Sequence, residues 1–223
     1  MKKQKSGKKI NNQGAPLVTV IVVITFISIL ATVVLYSSGM NFTMKTTDIK
    51  TKVNFYDAET AMEQLKSYFA GEASKAFETA YYDTLKNYGN WGNGNGRESH
   101  FKSAFFSALQ SNFSKELTDS HLSITDFINS KVSAEYAGTI TVTGTGYDVS
   151  TIGDGYVLFK GVVMEYTKDG YTTRISTDFL INVPDQNWAA EYSEKASLPS
   201  ADDILNKDLE MTEFVKYYNW TKK

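Results

Sequence analysis

Ala15-Pro16-Leu17-Val18-Thr19-Val20-Ile21-Val22-Val23-Ile24-Thr25-Phe26-Ile27-Ser28-Ile29-Leu30-Ala31-Thr32-Val33-Val34-Leu35-Tyr36 is a single apolar segment near the start of the chain. Fourteen of its 22 residues are Val, Ile, Leu or Phe, and no charge occurs anywhere from Ile10 to Met44. As a helix rising about 1.5 Å per residue it spans roughly 33 Å, enough for a hydrocarbon layer of ~30 Å. Thirteen of the 22 residues are β-branched Val, Ile or Thr, a composition that weakens a helix in water. In lipid every backbone polar group must be satisfied within the segment, so a single helix is the one way it can cross.

Outward from this segment the charges are lopsided. Lys2, Lys3, Lys5, Lys8 and Lys9 precede it, and no acidic residue occurs before Asp48. The positive-inside rule therefore predicts a cytoplasmic N-terminus and an extracytoplasmic C-terminal domain. Removing those five lysines from the 23 basic residues leaves 18 against 25 acidic ones, a formal charge of −7 for residues 15–223. Such a surface argues against nucleic acid as a partner. A cleaved secretory signal, cut near Ser38 and Gly39, competes with this reading, but its apolar region runs about 7–15 residues and the present one is longer. The chain has no cysteine, which removes disulfides, thiol chemistry and Cys-ligated zinc, so an exported domain must rely on its core.

The junction Asn11-Asn12-Gln13-Gly14-Ala15-Pro16-Leu17-Val18-Thr19 sets a polar, basic leader and a glycine directly against the apolar segment. It resembles the class III signal of type IV prepilins. Forty residues after Gly14, Asn54-Phe55-Tyr56-Asp57-Ala58-Glu59-Thr60-Ala61-Met62-Glu63 is similar to the patch shared by PilX-type minor pilins, with Phe55, Tyr56, Ala58 and Glu59 carrying the likeness. The resemblance covers the first third of the chain. It implies a prepilin peptidase cut between Gly14 and Ala15, N-methylation of Ala15, and retention of the apolar helix for assembly. Implied partners are membrane lipid, the prepilin peptidase, major and other minor pilins, and the pilus assembly platform.

Three positions depart from the major-pilin pattern. Ala15 stands where an aromatic residue is usual, Pro16 follows it, and Thr19 occupies the place of the family's glutamate. Pro16 suits a first helical turn, whose N–H has no intrahelical partner anyway. In the family that glutamate is held to neutralise a neighbour's terminal ammonium in an apolar environment, where an unpaired charge costs several kcal/mol. Thr19 cannot do so. The resemblance therefore implies a minor pilin or pseudopilin that primes assembly or sits at a tip.

The expected organisation is a basic leader over 1–14, the span over 15–36, an amphipathic helix continuation over 37–86, a Gly/Asn-rich loop over 87–98 and an α+β head over 99–223. Ala58, Met62, Leu65, Phe69, Ala73, Ala76 and Ala80 recur at three- and four-residue steps, with Gly71 as a predicted kink or break. After the loop, Phe101, Phe105, Ala108, Leu109, Phe113 and Leu117 mark a second helix capped by Ser99. A short helix over 125–131 is expected next, and then the period changes to two. Thr139–Thr143 alternates, and Tyr156–Thr167 pairs with Tyr171–Val183 through Asp169-Gly170. Pro184 ends that strand, Ser200 and Asp203 mark a helix start for 201–209, and Phe214–Trp220 reads as a last strand.

No catalytic constellation emerges. His100 and His121 lack zinc-ligand spacing and read as solvated, and there is no G-x-S-x-G elbow among the serines. The glycines of 89–96 lack the preceding strand and the Lys-Ser/Thr of a phosphate loop. Asp148 and Asp154-Gly155 match no calcium-loop spacing, and Glu59/Glu63 and Asp202/Asp203 fit solvated faces and caps. The expectation is a structural and interaction protein with no catalytic residues, no cofactor and no metal. The alternative is an uncleaved, membrane-anchored extracellular domain that binds an unidentified ligand or is an enzyme of unfamiliar motif.

Overall fold

A computed structural model describes residues 15–86, 88–91, 94–143, 150–152, 155–183 and 211–222. The leader over 1–14, Asp148, Asp154, Pro184 and the expected helix over 201–209 lie outside the described residues. Two compact units divide the chain, Met1–Lys50 and Thr51–Lys223. One helix, α1 (Ala15–Lys86), contributes residues to both.

In the second unit, α1 carries the predicted stripe as a buried face. Ala58, Met62, Leu65, Phe69, Ala73, Ala76 and Ala80 are all fully buried, joined by Phe77 and Tyr81. A 3-10 turn (Tyr88–Trp91) leads to α2 (Gly94–Ser120), on which Phe101, Phe105, Leu109 and Phe113 are buried against that stripe. Helix α2 therefore begins inside the expected loop, ahead of Ser99. Glycine is a poor helix former but not a forbidden one. Here the first turns are held by Lys102 to Glu98 at 2.7 Å and by His100 to Asp83 of α1 at 2.7 Å. A short α3 (Ile124–Asn129) follows, with Ser123 as its N-cap accepting from the Asp126 amide.

Gly71 does not interrupt α1. Its position is exposed, and a Cβ built there meets nothing within 4 Å. Neither backbone conformation nor close packing within the described chain requires glycine. Gly71→Ala is expected to stabilise the folded unit by roughly 0.5–1 kcal/mol, because glycine's extra unfolded-state entropy is removed at no steric cost. Thermal unfolding in detergent checks this; a fall in Tm would show that the backbone there needs glycine.

The sheet is antiparallel. Strands β1 (Ile140–Val142) and β2 (Ser150–Ile152) both pair with β3 (Gly155–Lys168), which pairs with β4 (Tyr171–Asn182), and β4 pairs with β5 (Val215–Lys222). The main path across the sheet has four strands, β1-β3-β4-β5. Lys168 pairs with Tyr171, so Asp169-Gly170 is a two-residue loop. Its φ values of 52° and 81° give the type I′ turn that matches strand twist. One helical turn, α4 (Met211–Phe214), precedes β5.

Burial alternates along β4. Ile175, Phe179 and Ile181 are buried, as is Val183 just past the strand, while Arg174 is exposed, and Thr173 and Thr177 are also on the dry face. Register shifts flank this strand, two on β3 and one on β5. Gly161 on β3 has φ 63° and Asn219 on β5 has φ 55°, each marking an extra residue relative to β4. Asp178 lies between them. Its Oδ1 accepts from the Gly161 amide at 2.6 Å and its Oδ2 from the Asn219 side-chain amide at 2.8 Å. One carboxylate thus fixes the register on both sides.

The dry face of the sheet covers α1 and α2. Phe69 is at the junction, 5.1 Å from Phe159 in a stacked pair, 4.7 Å from Phe179 and 5.8 Å from Phe113, measured between ring centroids. Architecture and class are those expected, an α+β protein whose long N-terminal helix packs with further helices and an antiparallel sheet.

At one edge of this core an ionic network ties the helices together. Glu116 of α2 accepts from Lys131 at 2.9 Å and from the Tyr68 hydroxyl at 2.7 Å, and Lys75 is 3.6 Å away. Lys75 also binds the buried Glu72. Burial pushes the Glu116 carboxyl up, but Lys131, Tyr68 and Lys75 outweigh it and hold it below the usual range. Burial, reinforced by Glu116, drives the Tyr68 phenol well above its ordinary value, so it stays a donor. A carboxyl whose folded pKa is depressed stabilises the fold above its unfolded value and loses that contribution as pH falls through the folded one. Unfolding midpoints are therefore expected to drop below about pH 4.5, and Glu116→Gln is expected to flatten part of that drop. An unchanged acid limb in the variant would remove Glu116 from the account.

Candidate functional site: the apolar helix and the Asn54–Glu63 stretch

In the first unit, residues 16–44 of α1 present their side chains outward on every face. Leu17, Ile21, Phe26, Ile29, Val33 and Leu35 are between 56% and 73% exposed. The best 18-residue window has a mean hydropathy of 2.9, and none of it is buried. An apolar surface of this extent needs a dry environment, since burial is worth about 25 cal/mol per Å².

Five hydroxyls of this helix bond back to its own backbone. The hydroxyls of Thr25, Ser28 and Thr32 donate to the carbonyls of Ile21, Ile24 and Ser28 at 2.8, 2.8 and 2.9 Å. Thr43 and Thr46 do the same to Gly39 and Phe42 at 3.0 and 2.9 Å. Back-bonding of this kind removes the cost of taking a hydroxyl out of water. The helix is long and apolar enough to cross a membrane. Ala15 is its first described residue, and Pro16 and Thr19 lie in its opening turns. Gly14 lies outside the described residues.

The second motif belongs to the other unit, and four of its ten residues, Asn54, Ala58, Ala61 and Met62, are buried. Ala58 is fully buried. Asn54, 1% exposed, aims its side-chain amide at the carbonyls of Tyr166 and Tyr171, which flank the β3–β4 turn. Asp57 takes the Lys168 ammonium at 2.7 Å, and Glu63 accepts from the Tyr217 hydroxyl at 2.8 Å. The Lys222 ammonium lies 3.5 Å from the centre of the Phe55 ring. Burial, aided by Glu63 and Glu59, raises the Tyr217 phenol well above its ordinary range, so this donor too stays neutral. Glu59 is half-buried, and Tyr56 is 60% exposed on the side away from the core.

The stretch is therefore a fastening between helix and sheet, made at both the hairpin turn and β5. Phe55, Tyr56, Ala58 and Glu59 were the residues singled out by resemblance. The hydrogen bonds to the sheet come from Asn54, Asp57 and Glu63, and Phe55 meets it through the Lys222 ammonium. The sequence held one signal for Asn54: it falls four residues before Ala58, on the apolar stripe itself. A polar side chain on a dry stripe needs a partner.

Elsewhere the chemistry-bearing residues are scattered. His121 is exposed, as expected, whereas His100 is only partly exposed and held by Asp83. Among the described residues no three His, Cys, Asp or Glu side chains gather as metal ligands. A shallow groove of about 500 Å³ on α2 is lined by Ser107, Gln110, Ser111, Ser114, Lys115, Thr118 and Asp119, all polar and without a buried reactive group.

A long apolar N-terminal helix combined with a helix-packed antiparallel sheet is a pilin-like architecture. No family model, curated protein or solved structure matches the chain, so the likeness is one of architecture.

Proposed function

We propose that this chain is a minor type IV pilin or pseudopilin, an interaction protein rather than an enzyme. The prepilin peptidase cuts it between Gly14 and Ala15, Ala15 is methylated, and the apolar helix first holds the protein in the membrane and then inserts among other pilins. The observation that carries this reading is the outward-facing apolar surface of residues 16–44, joined in one chain to an α+β unit with its own core. Such a helix is suited to lipid and to the equally apolar helices of neighbouring subunits.

Thr19 supports a restricted place in the assembly. A subunit with a hydroxyl there leaves a neighbour's terminal ammonium without a counter-ion, at a cost of several kcal/mol in a dry setting. Repetition of such a subunit is disfavoured, and a priming or tip position avoids the problem. Its partners are then membrane lipid, the prepilin peptidase, the major and other minor pilins and the assembly platform, with no role for nucleic acid.

N-terminal sequencing and intact mass of the membrane-extracted protein test the proposal. A methylated Ala15 start is expected. An intact lysine leader would overturn it in favour of an uncleaved, anchored extracellular domain. In sheared filaments the copy number is expected far below that of the major subunit, and parity with it would overturn the tip assignment.

A further inference from the structure

We draw no further inference here: the strongest candidate, the exposed face of α1 where Thr60, Ser67, Gly71 and Ser74 leave the helix backbone thinly covered, is a stripe of small residues with nothing in the structure to show what covers it.

Discussion

Phe69→Ala is expected to destabilise the folded unit by about 3–5 kcal/mol, a large share of the roughly 5–15 kcal/mol available to a domain. The side chain is fully buried and its ring meets one ring on α2, one on β3 and one on β4. Truncation removes the transfer free energy of the ring and leaves a cavity bounded by three separate elements, which cannot all collapse into it. Each aromatic pair adds about 0.5–1.5 kcal/mol beyond area burial. At this chain length the loss corresponds to a fall in Tm of about 6–20 °C. Tyr56→Ala, at an exposed aromatic thirteen positions earlier on the same helix, is the control, expected within about 0.5 kcal/mol of the parent. Equal effects from the two substitutions, followed by near-UV circular dichroism during thermal unfolding in detergent, would show that the Phe69 cluster is not the centre of the core.

That contrast bears on what the sequence could reveal. The stripe from Ala58 to Ala80 and the later change to a period of two were legible because periodicity reports which side of an element is dry. The Asp169-Gly170 hairpin was legible because few residue pairs accept two positive φ values. Three features were not. The start of α2 at Gly94 runs against local propensity and is held by pairs such as Asp83 with His100, which are distant in sequence. The bulges at Gly161 and Asn219 leave no period of their own and depend on Asp178 from the intervening strand. Continuity of α1 through Gly71 depends on burial on both sides of it, at Phe69 and Ala73, which outweighs a local penalty of about 1 kcal/mol.

The second motif shows the same division. Resemblance drew attention to a stretch that fastens helix to sheet, yet of the residues that carry its pattern only Phe55 is matched to a sheet side chain, Lys222, while the hydrogen bonds come from Asn54, Asp57 and Glu63. A pattern of aromatic, alanine and glutamate cannot by itself say which side chains reach the β3–β4 turn. Asn54, Asp57 and Glu63 follow from the helix phase once the position of the sheet is known.

Replacing Ile24 and Ile27 together by arginine is expected to abolish stable membrane association, the largest effect available from a pair of substitutions. Both residues lie near the middle of the apolar segment and both are exposed on α1. Changing one central isoleucine to arginine shifts insertion by roughly 3–4 kcal/mol, so two shift it by about 7 kcal/mol. The fourteen Val, Ile, Leu and Phe residues of 15–36 supply about 4–8 kcal/mol in total on the same scale. One arginine therefore leaves a weakened span, particularly since a long side chain can snorkel, whereas two remove the margin. The double variant is expected in the supernatant after alkaline carbonate extraction, or to be degraded, while the parent stays in the pellet. The folded unit should be unaffected by these changes, because its core begins at Asn54 and Ala58. Near-UV circular dichroism of the released protein checks this. A double variant that remained fully in the membrane pellet would mean that something other than the apolar helix holds the protein there. The assembly route through that helix would then lose its physical basis, even if the leader were cut after Gly14.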